Sequence, residues 1–443
     1  MKFTLEEIKR ATGAHIEGEG IFEISTDTRT IKKGDLYLPL KGANFDGENF
    51  CDKALEAGAA GCFYTKEKPC DLAIKVEDTL TAYLQIANFA RCKYNPKVIA
   101  VTGSSGKTTT KEMIYSVVSE KFKTHKTFSN HNNEIGFCQT VLSMSEDTEV
   151  LIVEMGMRGL GEIELITRYA QPDIAVITNA GSAHIGRLRS LDNIAKAKCE
   201  ITSKLKETLI AHDCERLRKF SNFDGEKIFY SINDVKILEK RSGYSKFIYK
   251  EQEFELNVEG DYNIENSISA IEAGYKLGMK YDEIRRGLLA YKPIEKRWEA
   301  EKVRGFNIIN DSYNANPESM KASVSTFLEL YENPVVILGN MGELGDNEEE
   351  FHREVGRYIA AKCKNFSTSQ LINKSTIFIT VGNLARYIGE ELLKNGLDVK
   401  SFDNNIETSR YILDNLNAGS TIFLKASRAM KFEEIIEYLK GDN

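Results

Sequence analysis

Short apolar runs rich in valine and isoleucine recur along this chain, separated by segments whose apolar residues repeat every three to four positions. Lys97–Thr102 is a short, unbroken apolar run rich in β-branched residues, and further strands are expected at Val150–Val153, Asp173–Asn179, Phe306–Asn310, Val335–Leu338, Thr376–Thr380, Val399–Phe402 and Thr421–Leu424. That pattern predicts strands buried on both faces of a parallel sheet. Helical spacing follows many of them, at Met113-Ile114-Val117-Val118, Glu162–Tyr169, Leu191–Leu205 and Pro317–Leu330. Strands alternating with helices mean α/β, doubly wound sheets. Residues 228 to 258 differ: they alternate, which predicts a few short antiparallel strands, a flap. Residues 1 to 92 read as a smaller α/β module, with a first short helix, extended segments near Glu23–Thr26 and Asp35–Leu40, a helix at Phe50–Ala57 and a strand at Gly61–Tyr64. Tyr94-Asn95-Pro96 is the best boundary, so three units are expected at 1–92, 93–302 and 303–443.

Length supports that division, since 443 residues exceed one ordinary core. A net charge of −7 without a basic cluster argues against nucleic acid, so an anionic substrate must be held by local arginines and N–H groups. The eight cysteines are scattered with no C-x-x-C pair, which speaks against a zinc module or disulfide framework and for a reducing, cytoplasmic setting. No run approaches the length of a membrane span, and MKFTLEEIKR lacks an apolar signal core.

Chemistry enters where the first strand of the second unit runs into Gly103-Ser104-Ser105-Gly106-Lys107-Thr108-Thr109. A strand, a glycine loop and a helix together build an anion site: the glycines let backbone N–H groups approach phosphate, and the helix N-terminus adds positive potential. Lys107 can reach β and γ phosphates and Thr108 can ligate Mg²⁺. The full pattern wants glycine at 101, where Val101 stands, so the loop is a shortened variant.

Glu154 and His184 lie at or just past the ends of the next two strands, on the edge where α/β sheets bind ligands. Taken singly, Glu154 could be a surface carboxylate and His184 a hydrogen-bonded loop histidine; their convergence with Lys107 carries the reading. Asn263 and Asn266, three apart, either cap a helix or read a purine edge. By composition Lys198 is a solvated helix lysine and Asp27-Thr28-Arg29 a surface turn. The third unit also has polar strand ends, at Asp311-Ser312-Tyr313-Asn314-Ala315-Asn316 and Lys425-Ala426-Ser427-Arg428. A second crevice facing the first is expected.

TGSSGKTTT, Glu154, His184, the AKAKCEI segment around Lys198 and the Arg297-Trp298-Glu299 junction resemble the Mur ligases, ATP-dependent amide-bond ligases of peptidoglycan precursor synthesis. The resemblance covers nearly the whole chain. It implies a small N-terminal α/β UDP-sugar-binding domain, a central P-loop ATPase domain and a C-terminal Rossmann-like acceptor domain. Within the family, NHNNEIG (130–136), NDSYNANPESM (310–320) and LGNMGELG (338–345) resemble the branch adding D-alanyl-D-alanine to UDP-N-acetylmuramoyl-tripeptide.

The implied chemistry activates the substrate carboxylate as an acyl phosphate, with Lys107, Glu154, His184, Lys198, Arg297 and Asp311 at the centre. The loop Gly103–Thr109, with Asn263, Asn266, Arg297 and Asp311, would hold ATP. Two Mg²⁺ ions are implied, held by Thr108, Glu154, His184 and a carbamylated Lys198. Thr28, Arg29 and Asp46 fall in the UDP-sugar region, Asn132 and Asn133 near the nucleotide-peptide, and Tyr313, Asn314, Asn316, Ser427 and Arg428 near D-alanyl-D-alanine. Tyr262, Glu48, Asn340 and Ala426 depart from the family's usual residues. A cytoplasmic monomer is expected, closing around nucleotide at hinges near 93–96 and 300–305. The alternatives are another amino-acid-adding ligase, such as a tripeptide-forming one, and an inactive nucleotide-binding paralogue.

Overall fold

Three main sheets and a small antiparallel one carry the fold in the computed structural model, which describes residues 1–42, 44–294, 296–367 and 376–441. The first is small: strands Lys2–Thr4, Ile21–Ser25, Leu36–Tyr37, Gly61–Tyr64 and Ala73–Lys75 lie in that order, the first pair antiparallel and the rest parallel.

The second sheet has six parallel strands, ordered Glu226–Tyr230, Thr208–His212, Ile174–Ile177, Lys97–Thr102, Val150–Glu154 and Thr124–Lys126. From Lys97–Thr102 the chain goes one way to Val150–Glu154 and the other way to Ile174–Ile177. The glycine loop therefore starts at the point where strand order reverses, and a crevice opens there. The unbroken apolar runs have a simple cause. Val98, Ala100, Leu151 and Val153 face one core, while Ile99, Val101, Val150 and Ile152 face the other. Truncating such a side chain typically costs about 2–5 kcal/mol, which fixes the register and hence which residues emerge at the carboxyl edge.

Residues 235–256 form a three-stranded antiparallel sheet, as the alternation predicts. It is a wall rather than a free flap: Phe247, Phe254 and Leu256 are buried in the same core as Ile268 and Ile284 of the helices that follow. Glu226–Tyr230, from the start of the alternating stretch, joins the parallel sheet instead.

The third sheet is ordered Glu299–Val303, Phe306–Asn310, Thr421–Lys425, Pro334–Gly339, Ile377–Val381 and Asp398–Phe402, with only the first strand antiparallel. Helix Pro317–Leu330 begins after it with proline in the first turn and a capping box from Asn316 and Ser319. Such a cap is typically worth about 1 kcal/mol.

The expected unit boundaries fall inside elements. Helix Thr79–Tyr94 spans the 92/93 division and ends at left-handed Asn95 before Pro96. Its Asn88 and Arg91 side chains donate to the Tyr169 carbonyl (2.6 and 3.1 Å), and its apolar face lies in a core continuous from Phe3 to Leu217. By packing, this helix belongs as much to the second unit as to the first. Strand Glu299–Val303 spans the 302/303 division and pairs wholly with the third sheet. None of the eight cysteines is in a disulfide. No helix among the described residues is long and apolar enough to cross a membrane.

Candidate active site

Val101 is fully buried in the strand, so the loop proper starts at Gly103. At its far end Gly106 takes φ 77 as the N-cap of helix Lys107–Val118, and a Cβ there would lie 2.7 Å from the Asn266 side-chain oxygen. Glycine is thus required both by conformation and by contact. Asn179 holds the loop open: its Oδ1 accepts from Ser104 and Ser105 N–H (3.1 and 3.0 Å), and its amide donates to Ser105 Oγ (2.9 Å). Lys107 folds back to donate to the Gly103 carbonyl (2.9 Å). Burial pushes its ammonium below the ordinary lysine value; the Glu154 charge opposes that shift and the Arg297 charge adds to it.

Glu154, at the end of its strand, is buried. Its Oε1 accepts from Thr108 Oγ1 (3.2 Å) and Asn132 Nδ2 (3.0 Å). Its Oε2 lies 3.6 Å from the buried Lys111 ammonium and has no hydrogen bond. Lys111 is itself fixed by the Thr127 carbonyl and Glu112. His184 sits at φ 65 ahead of the short helix Ile185–Leu188, with Nδ1 2.5 Å from Glu343 Oε2. The His184 contact lowers the Glu343 pKa.

Lys198 is not solvated. It is fully buried on helix Leu191–Cys199, and its Nζ has no hydrogen-bond partner. Burial, reinforced by the Lys107 charge, drives its pKa well below the ordinary lysine value. Among the described residues, no three His, Cys, Asp or Glu side chains are grouped to hold a metal. A cation here needs ligands beyond those types.

The third unit, with the segment that leads into its first strand Glu299–Val303, supplies the opposite wall. From that lead-in segment the Arg297 guanidinium stacks 3.9 Å from the centre of the Tyr313 ring, and its Nε is buried without a hydrogen bond. Asp311 accepts from Lys425 Nζ (2.6 Å) and Ser323 Oγ (2.8 Å). Asn316 reaches across to the Ser104 carbonyl (3.4 Å). Together the two edges enclose a cleft of about 950 Å³, lined by Ser104 to Thr109, Asn132, Asn133, Glu154, His184, Asn266, Arg297, Asp311, Tyr313, Asn314 and Asn316.

Not every expected residue is there. Asn263 donates to the Glu259 carbonyl (2.7 Å) at the start of its helix, so of the two asparagines only Asn266 lines the cleft. Asn133 lines it but also caps helix Glu134–Ser143. Thr28, Arg29 and Asp46 lie outside it. Arg29 holds Asp27, whose pKa falls to about 2, and Asp46 pairs with Lys66 (2.6 Å). Ser427 and Arg428 follow the strand that ends at Lys425, and Arg428 turns outward to Glu433. Among the departures, Glu48 accepts from Thr65 N (3.2 Å) and Asn340 accepts from Leu384 and Ala385 N, so both have local structural jobs. Tyr262 lines the cleft edge-on to Trp298, and Ala426 is buried. Lys111, Asn179, Glu318, Glu343 and Lys425 were missed. Lys111 and Glu318 sit on helices and the other three at strand ends or in a loop, and each acts through a partner distant in sequence.

Three Mur ligase family models match the chain: the family's catalytic-domain model over residues 21–102, its middle domain over 101–274 and its glutamate ligase domain over 296–428. The chain belongs to the Mur ligase family. Within it, this chain is 37% identical to UDP-N-acetylmuramoyl-tripeptide–D-alanyl-D-alanine ligase of Bacillus subtilis, over 95% of this chain and 93% of that one. It is 29% identical to the Escherichia coli protein of the same name, over 99% and 98%. The crystal structure of MurF from Acinetobacter baumannii matches with TM-score 0.89 at 26% identity, covering 100% of this chain and 99% of that one. The ADP complex of MurF from Thermotoga maritima matches at 0.83 and 25% identity, covering 95% and 97%.

Proposed function

We propose that this chain joins D-alanyl-D-alanine to UDP-N-acetylmuramoyl-tripeptide at the expense of ATP, releasing ADP and phosphate. In the first step a carboxylate oxygen of the tripeptide attacks the γ-phosphorus and ADP leaves, giving an acyl phosphate. In the second, the dipeptide amine attacks the acyl carbon, phosphate leaves and the amine loses a proton. Joining carboxylate to amine in water is uphill, and three anionic partners must meet, so charge neutralisation and positioning dominate.

One observation carries the reading: buried polar groups near the glycine loop are left without hydrogen bonds. These are Arg297 Nε and Glu154 Oε2 in the cleft, and Lys198 Nζ, which does not line the cleft but is close enough to feel the Lys107 charge. Buried polar atoms are rarely left so, and here they lie near an anion-binding turn. Lys107 and the loop N–H groups face the β and γ phosphates, and the Arg297 fork, braced by Tyr313, faces the transferred group. Asn266 takes the side of the nucleotide nearest Gly106. Thr108, Glu154, His184 and Lys198 would hold Mg²⁺, which neutralises phosphate charge when bound. Lys198 fits a carbamate: an uncharged buried amine with no partner can accept CO₂ and become an oxygen donor. Tyr313, Asn314 and Asn316 present polar groups to the dipeptide, with Ser427 and Arg428 beyond them, and Thr28, Arg29 and Asp46 serve the sugar nucleotide.

Phosphate release from ATP with the UDP-tripeptide, with and without D-alanyl-D-alanine, tests this. Release that needs both substrates is expected. Release with a free amino acid instead would point to a tripeptide-forming ligase, and none with any acceptor to an inactive paralogue.

A further inference from the structure

Two carboxylates of the third unit grip one short loop of the second, Gly181–Gly186, which carries His184. Glu318, in the first turn of helix Pro317–Leu330, accepts from both Ser182 N and Ser182 Oγ at 2.9 Å. Glu343 places Oε2 2.5 Å from His184 Nδ1, and its carbonyl accepts from Gly186 N (3.2 Å). The backbones meet closely: a Cβ on Gly186 would lie 2.6 Å from Gly345 N. Both ends of the histidine contact are backbone-strained, since His184 and Glu343 are non-glycine residues at φ 65 and φ 62. Such conformations persist where surrounding contacts over-determine them.

We propose that Glu343 is a positioning residue for His184, and Glu318 the anchor of its loop, so that the cation site beside Glu154 is completed only when the third unit is seated. With Nδ1 facing Glu343, Nε2 is the nitrogen left to turn toward the cleft. A histidine that binds a metal usually has its other nitrogen held by a carboxylate or carbonyl, and loss of that partner typically weakens metal affinity about 10–100-fold. Here the partner comes from another unit, so seating that unit, which also brings Arg297 and Asp311, would assemble the metal site in the same step. This rests on the ligase reading above.

The test substitutes Mn²⁺ for Mg²⁺ and reads the bound ion by electron paramagnetic resonance, with a non-hydrolysable ATP analogue and UDP-tripeptide. Wild type should show imidazole-nitrogen coupling. Glu343→Gln should weaken Mn²⁺ binding about 10-fold or more and diminish that coupling. Nucleotide affinity measured without metal should stay within about twofold. The kcat should fall, and Glu343→Asp should restore part of it. Gly186→Ala, which blocks seating sterically with both carboxylates intact, should cause the same loss. Glu318→Gln should cause a smaller one.

Wild-type coupling that is absent, or Mn²⁺ affinity and coupling unchanged in both Glu343→Gln and Gly186→Ala, would overturn the proposal. A wild type that shows the coupling but releases no phosphate with both substrates would instead overturn the ligase reading.

Discussion

At the carboxyl edge of the third sheet, Lys425 is 3% exposed and its ammonium is committed to Asp311 at 2.6 Å. Near the matching edge of the second sheet, Lys198 is more deeply buried and its ammonium touches no hydrogen-bond partner. The first arrangement is self-sufficient: opposite charges satisfy each other, and Asp311 is pinned for whatever else it contacts. The second is incomplete as a protein structure, because burial without a partner costs free energy that packing must offset. An edge with unpaired groups is therefore where a ligand or a modification belongs. Lys111 makes the contrast sharper, being equally buried on the same edge but paired with Glu112 and the Thr127 carbonyl.

The largest expected effect is on the unpaired lysine. Lys198→Ala should lower turnover by about 10³-fold, at the upper end of what one preorganised group contributes, with partial rescue by short carboxylic acids. Wild-type enzyme given ¹³C-bicarbonate should show a carbamate resonance that the variant lacks. Full wild-type activity in bicarbonate-free buffer would remove the carbamate from the picture. Lys198→Met should unfold no earlier in urea than wild type, since no partner is stranded.

Next comes Lys107→Ala, which removes a charge from the phosphate site. It should cost about 3 kcal/mol of transition-state stabilisation, roughly 10²-fold in kcat/KM. Turnover near wild type would show that the glycine loop does not hold the transferred phosphate.

Lys425→Met breaks a pair rather than an unpaired group, so the loss should appear in stability. Urea unfolding should show about 3 kcal/mol of destabilisation, and adding Asp311→Asn should recover part of it. Equal stability of Lys425→Met and wild type would erase the distinction drawn between the two edges.

The smallest effect concerns His212, a paired group at the cleft end of the second sheet. The Glu265 carboxylate, 3.2 Å from its Nδ1, raises the imidazole pKa above the ordinary 6.5. A raised folded-state value means the contribution is fully present below about pH 6.5 and is lost as pH rises through the folded pKa. His212→Gln should therefore be less stable than wild type by under ~1 kcal/mol at pH 6, and the gap should close in alkaline buffer. A gap that widens with pH would refute the sign.

Most of the large-sheet architecture was legible in the chain. Strands at Lys97–Thr102, Val150–Glu154, Phe306–Asn310 and Thr421–Lys425 and helix Pro317–Leu330 form within a residue of their expected bounds. Thr124–Lys126, Ala73–Lys75 and Thr208–His212 were not foreseen. The first two are three residues long and show no period, and the third ends in polar residues. The cleft was legible in part. Lys107, Glu154, His184, Arg297 and Asp311 do line one cavity. Asn263, which could have capped its helix or met a purine, does neither here: the N-cap is Gly260 and the Asn263 amide donates to the Glu259 carbonyl outside the cavity lining, while Ser427 and Arg428 stand beyond the cavity.

By itself the sequence determined where strands end and where the glycine loop must turn, because both are set by side chains adjacent in the chain. It also placed Glu154 and His184 on the ligand edge, since that edge follows from strand direction. Only the tertiary structure decided which charges keep a partner. Lys111, Lys198 and Lys425 are alike as letters, yet two are paired and one is not. Pairing depends on distance and on lost water between groups such as Lys425 and Asp311, or His184 and Glu343, that lie more than a hundred residues apart.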